Sequence, residues 1–93
     1  MVTMSDNHHG YPGAEALRAR IVAGFALCSE AAHQLRLESR EQATQTIRQI
    51  KKLIAEADMI IAGAVLPPGT ANKLRDLLSE LKRLLEKVEV SEE

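Results

Sequence analysis

From residue 14 onward, apolar residues recur at helical spacing in three runs that differ in phase. The first run, Leu17, Ile21, Gly24, Cys28, Ala31 and Leu35, advances in alternating steps of four and three. That spacing lays one stripe along one face of a helix. Carried past Leu37, the same stripe would fall on Glu38, Gln42, Gln45 and Gln49, all polar. A new stripe instead begins at Ala43 and continues through Ile47, Ile50, Ile54, Ala57, Ile61 and Ala64 in another phase. The break in phase predicts a turn, although neither glycine nor proline stands there. Ser39-Arg40-Glu41-Gln42 has the spacing of a capping box, with the Ser39 hydroxyl covering a free amide and Gln42 reaching back. The alternative is one continuous helix through both runs, exchanged between two chains.

The second run stops at Leu66-Pro67-Pro68-Gly69, where two prolines remove amide donors and resist helical continuation. Either Pro68 or Ala71 can open a third helix, with Thr70 as the cap in the second case. Leu74, Leu77, Leu78, Leu81, Leu84, Leu85 and Val88 then form a broad leucine face. Residues 1–13 carry turn formers without periodicity and are expected to be a flexible tail. The expected architecture is all-α: helices over about 14–37, 40–65 and 68–90, joined by short connections as an up-down-up antiparallel bundle. Homo-oligomerisation is expected to complete it.

That last expectation comes from apolar residues the three stripes do not use. Met59 to Leu66 is a run of eight uncharged residues in a chain that is 27% charged. At ~100° per residue, Met59 falls nearly opposite the second stripe and Ile60 widens one flank. The first helix repeats this over residues 21–28, where Val22 and Ala26 lie away from the stripe and Phe25 and Leu27 beside it. Folding the two helices back on each other places both surpluses at the end remote from their turn. Contiguous apolar surface on a small monomer commonly marks a binding site. Val22, Phe25, Ala26, Met59, Ile60 and Val65 are therefore the expected partner or oligomer interface, with a homodimer favoured. Gly24 and Gly63, each costing about 1 kcal/mol inside a helix, point to close helix–helix approach in the same segments.

Composition narrows the picture without naming an activity. Ninety-three residues make one domain near the lower limit for a single core. Tyr11 and Phe25 are the only aromatic residues, so the core must be built from alkyl side chains, which suits close-packed helices. A net charge of −1 gives no bulk attraction for nucleic acid or an anionic membrane. One cysteine, no signal peptide and no apolar run approaching the ~20 residues of a membrane span give the expectation of a cytoplasmic protein.

Candidate chemistry is sparse. His33 is expected to point outward, and Ala32-His33-Gln34-Leu35-Arg36 resembles the histidine phosphotransfer domains, whose exposed helical histidine precedes a leucine and a basic residue. The resemblance implies His33 as phosphoacceptor, with Arg36 holding the phosphoryl oxygens. That family usually has glycine where Leu37 stands, and it usually builds a four-helix bundle. Arg36, Arg40, Arg48 and Lys52 are the candidate contacts for a weak nucleic-acid-binding module, but acidic residues interleave with them and no aromatic offers a stacking platform. Cys28 sits in a stripe and is expected in the core. His8 and His9 lie in the tail, where no fixed geometry would hold a metal. Neither a catalytic triad nor a phosphate-cradling glycine loop occurs, so no enzyme activity, cofactor or metal is expected. The leading reading is a small helical protein–protein interaction module, regulatory in role.

Overall fold

A computed structural model describes residues 12–92, and these form three helices: α1 (Pro12–Arg36), α2 (Arg40–Gly63) and α3 (Pro68–Glu92). The protein is all-α. Helix α1 opens at Pro12, two residues ahead of the expected Ala14, because proline loses nothing at a first helical position whose amide has no intrahelical partner. The expected tail otherwise lies outside the described residues.

Each stripe supplies one wall of a common core. Leu17, Ile21, Cys28 and Ala31 from α1 meet Ile47, Ile50, Ile54 and Ala57 from α2 and Leu74, Leu78, Leu81, Leu85 and Val88 from α3. The leucine face of α3 is narrower than its composition suggests: Leu84 is only half-buried and Leu77 is exposed. Helices α1 and α2 share the most extensive contact. Along it Gly13 faces Ala64, Arg20 Nε donates to Glu56 Oε1 at 3.0 Å, and Thr46 Oγ1 lies 2.8 Å from Gln34 Oε1. Thr46, the one buried polar residue among the described residues, also reaches the Gln42 carbonyl at 3.0 Å, so its hydroxyl proton is shared within the seam. Between α2 and α3, Lys51 pairs with Glu89 at 2.7 Å and Asp58 with Lys82 at 3.2 Å. Half-exposed pairs of this kind are worth at most about 1 kcal/mol each, and they serve register more than stability.

The α1–α2 connection explains how a chain turns without glycine or proline. The Glu38 amide donates to the Leu35 carbonyl at 3.0 Å and the Ser39 amide to the Gln34 carbonyl at 2.8 Å. These are the two bonds of a Schellman motif, and they place Glu38 at the left-handed position with φ of 63°. The expected capping box does not form: Ser39, at φ −91° and ψ 66°, is outside the extended geometry of a capping residue, and its side chain makes no capping hydrogen bond. Its amide, which Gln42 would have to reach, is given to the Gln34 carbonyl. Helix α2 is instead started through the Ser39 carbonyl, which accepts from the Ala43 amide at 3.0 Å. Two outcomes follow. Ser39→Ala should change stability by no more than a few tenths of a kcal/mol, well short of the ~1 kcal/mol of a working cap. Glu38→Gly should raise it by about 0.5–1 kcal/mol, since a left-handed L-residue carries a penalty of roughly 1–2 kcal/mol that the freer unfolded glycine only partly offsets. Urea titration of both variants checks the pair.

Helix α2 ends at Gly63, two residues before the expected 65, and Ala64 is extended at φ −86°, ψ 145°. The ending fits a close approach rather than a proline alone: a Cβ built on Gly13 would stand 2.8 Å from the Ala64 Cβ. Pro67 then offers its carbonyl to the Ala71 amide at 2.9 Å, and Pro68 becomes the first residue of α3. Of the two interior glycines, Gly24 does mark close helix contact, with Leu81 Cδ2 only 2.6 Å from where its Cβ would be. Gly63 does not: nothing lies within 4 Å of its missing Cβ, and it simply occupies the last helical position.

Candidate functional site

The expected interface residues are divided among several surfaces of the molecule. Val22 is 60% exposed, Met59 75% and Val65 92%, and Ala26 is exposed as well. Phe25 and Ile60 are half-buried and spend part of their surface on the core. Phe25 lines a depression with Glu80, Arg83, Leu84 and Lys87, which puts it in the groove between α1 and α3. The surface around Val22 is made by α1 alone, with Glu15, Arg18, Ala19 and Ala23.

Helix rotation places Val22 and Met59 on different faces. On α1, Arg20 reaches toward α2, and Val22 lies about 200° further round at 100° per residue. On α2, Met59 lies about 60° from Glu56, which pairs with α1, and about 100° from Asp58, which pairs with α3. Val22 therefore faces away from α2, while Met59 points outward between the sides of α2 that meet α1 and α3. They share a level along the bundle but not a patch. A one-dimensional pattern registers how far along the rods an apolar residue sits; which way it faces depends on where the neighbouring helices stand.

His33 and Arg36 are both exposed on the last turns of α1, one helical turn apart. The His33 carbonyl accepts from the Leu37 amide at 3.1 Å. Arg36 edges a shallow groove of about 410 Å³ whose other walls are Ala32, Leu35, Leu84, Lys87, Val88 and Ser91. The floor is alkyl and the polar groups at its lip are cationic or hydroxylic. Ser91 Oγ is already spent on the Lys87 carbonyl at 3.1 Å. Arg40, Arg48 and Lys52 are exposed on α2, and Arg48 and Lys52 stand one turn apart on its outer side. Lys51, beside them in sequence, is held by Glu89.

Cys28 is buried at 1% exposure, and burial raises its thiol pKa. A neutral, enclosed thiol is a packing group and a poor nucleophile. Iodoacetamide should therefore modify Cys28 in the native protein only at the rate of opening, and rapidly once denaturant is added. Because the folded-state pKa is the higher one, the stabilising contribution is present at neutral pH. It is lost as pH climbs through the thiol's ordinary range, where the unfolded chain gives up its proton first. A Cys28→Ala variant should lack that component of alkaline destabilisation.

Among the described residues, no group of three or more His, Cys, Asp or Glu side chains is arranged to hold a metal ion. No helix of the described residues is long and apolar enough to cross a membrane. No protein-family model, curated protein or solved structure matches the chain at a significant level.

Proposed function

We propose that this protein is a helical protein–protein interaction module that acts by self-association, as an up-down-up antiparallel bundle that dimerises in the cytoplasm. The observation that carries the reading is the exposure of Val22, Met59 and Val65, large apolar side chains that the core does not use. The antiparallel sense is supported by pairings that rise along one helix and fall along the next: Arg20 with Glu56 and Gln34 with Thr46, then Asp58 with Lys82 and Lys51 with Glu89. A core of slim alkyl side chains in a chain of this size also leaves stability to be gained by burying more surface. The role assigned is non-catalytic: the module presents helical faces, and assembly changes which faces are available to a partner.

Sedimentation velocity over the micromolar range tests it. The expected result is a reversible dimer whose fraction grows with concentration. A single monomeric species throughout that range would remove the reading. A second reading, phosphoryl transfer through His33 with Arg36 beside it, is favoured by the exposure of both side chains. It predicts acid-labile phosphate on the wild type, and none on His33→Gln, after incubation with a phosphorylated response regulator. Nucleic-acid binding through Arg36, Arg40, Arg48 and Lys52 has only their exposure behind it, with Glu38 and Glu41 set among them.

A further inference from the structure

Helix α1 carries an exposed face that is complementary to itself. Its residues are Glu15, Arg18, Ala19, Val22, Ala26, Ser29, Glu30 and His33, all exposed. At 100° per residue they occupy an arc of roughly 120°, on the side of α1 away from the buried Ile21, Gly24 and Cys28. They are also distributed symmetrically about Gly24. Val22 and Ala26 each stand two residues from it, Ala19 and Ser29 five, Arg18 and Glu30 six, and Glu15 and His33 nine. An isologous two-fold contact needs this property, since residue i must meet j while j meets i.

We infer that α1 pairs in antiparallel fashion with α1 of a second copy of this chain, about a two-fold axis at the level of Gly24 on the opposite side of the helix. Under that operation Val22 packs on Ala26 of the partner at the centre, and Ala19 on Ser29. Arg18 meets Glu30 toward each end, on the row of residues spaced by four that also carries Val22 and Ala26. Every contact occurs twice. The charges oppose at each end, and the centre is apolar and made of small side chains, which lets two helices approach at the near end of the usual 8–10 Å separation. Arg18 and Glu15 have no ion-pair partner among the described residues, and Glu30 is engaged only by the Gln34 amide at 3.1 Å. The charges that would mate are thus not committed elsewhere.

The other helices fit this role less well. The outer side of α2 sets the cations Arg48 and Lys52 at one end against Met59, Ala62 and Gly63 at the other, so self-pairing would lay charge on apolar surface. The exposed side of α3 has balanced charges, but Ser79, Glu80, Lys82 and Arg83 occupy its middle and leave no apolar centre to exclude water. Balanced charge is common on mixed-charge helices. What selects α1 is balanced charge around an apolar centre.

This inference rests on the self-association proposed above, and charge reversal separates the two. The full-length chain is compared with Arg18→Glu, Glu30→Arg and the double variant by sedimentation velocity, with circular dichroism confirming that each retains its helices. Each single reversal creates two like-charge contacts and should weaken the dimer on the order of tenfold. The double reversal restores both pairs and should recover most of the affinity. If the wild type dimerises and neither single reversal weakens it, or the double variant stays as weak as the singles, the α1 seam is wrong while self-association stands. If the wild type is monomeric throughout, both fall.

Discussion

Leu81→Ala should lower the free energy of unfolding by about 2–5 kcal/mol. A chain of this length has only about 5–14 kcal/mol in all, so the loss is a large share. Leu81 is fully buried, and its δ-carbons rest where a side chain at position 24 would otherwise be. Truncation leaves a void beside a residue with no side chain to move into it. The cost should accordingly fall in the upper part of the range, because a cavity is least penalised where its walls can relax. Thermal denaturation followed by circular dichroism should show the midpoint lowered by about 10–30 °C. Leu77, four residues earlier and 36% exposed, provides the internal comparison. Leu77→Ala should cost no more than about 1 kcal/mol. Equal losses at the two positions would mean that α3 is rotated from the orientation described.

Gly24→Leu should destabilise the protein by about 1–3 kcal/mol net, since overpacking of a dense core outweighs the ~1 kcal/mol of helix propensity gained by leaving glycine. The new Cβ alone would stand 2.6 Å from Leu81 Cδ2, and the side chain beyond it must enter the same space. Leu81 cannot swing outward, because it is sealed at 0% exposure between α1 and α3. The informative variant is the exchange, Gly24→Leu with Leu81→Ala. One leucine then fills the contact from the opposite side, and the double variant should be more stable than the sum of the single losses by about 1–3 kcal/mol. Strict additivity would show that the two residues do not touch. Urea denaturation of the four proteins closes the cycle.

The α1–α2 turn and the α1–α3 contact illustrate different limits of the one-dimensional pattern. Where a property depends on period, the residues state it openly. Leu17, Ile21, Cys28 and Ala31 repeat at helical spacing and all are buried; so are Ala43, Ile47, Ile50, Ile54 and Ala57. The polar quartet Glu38, Gln42, Gln45 and Gln49 marked the change of phase, and the chain does leave the helix at Leu37 to Ser39. The mechanism of that exit was not legible, because a Schellman turn is normally signalled by glycine and here Glu38 takes the left-handed position. Ser39 carried a capping signal, but the turn sets its backbone at φ −91°, ψ 66°, where its hydroxyl caps nothing. Gly13 had no visible purpose until Ala64, far along the chain, was seen to lie against it.

The same division applies to the candidate surface. Composition and spacing showed that α1 and α2 hold more apolar residues than their stripes require. They could not show that Phe25 and Ile60 would be partly absorbed by the core while Val22, Ala26 and Met59 stayed outside. Nor could they show that Val22 and Met59 face apart. The self-complementary face of α1 was written in the spacing from Glu15 to His33, but recognising it required knowing which residues of α1 the other helices leave exposed.

Taken by itself, the sequence determined that the chain is helical, that it turns near Ser39 and at the two prolines, and which stripe of each helix is turned inward. Those properties follow from local periodicity, which a helix converts directly into geometry. Only the tertiary structure decided which glycine is a contact, which cap is used, and how the remaining apolar residues are shared among outward faces. Each of these depends on what stands opposite a residue, and a neighbour brought in by folding has no signature in the stretch of chain it touches.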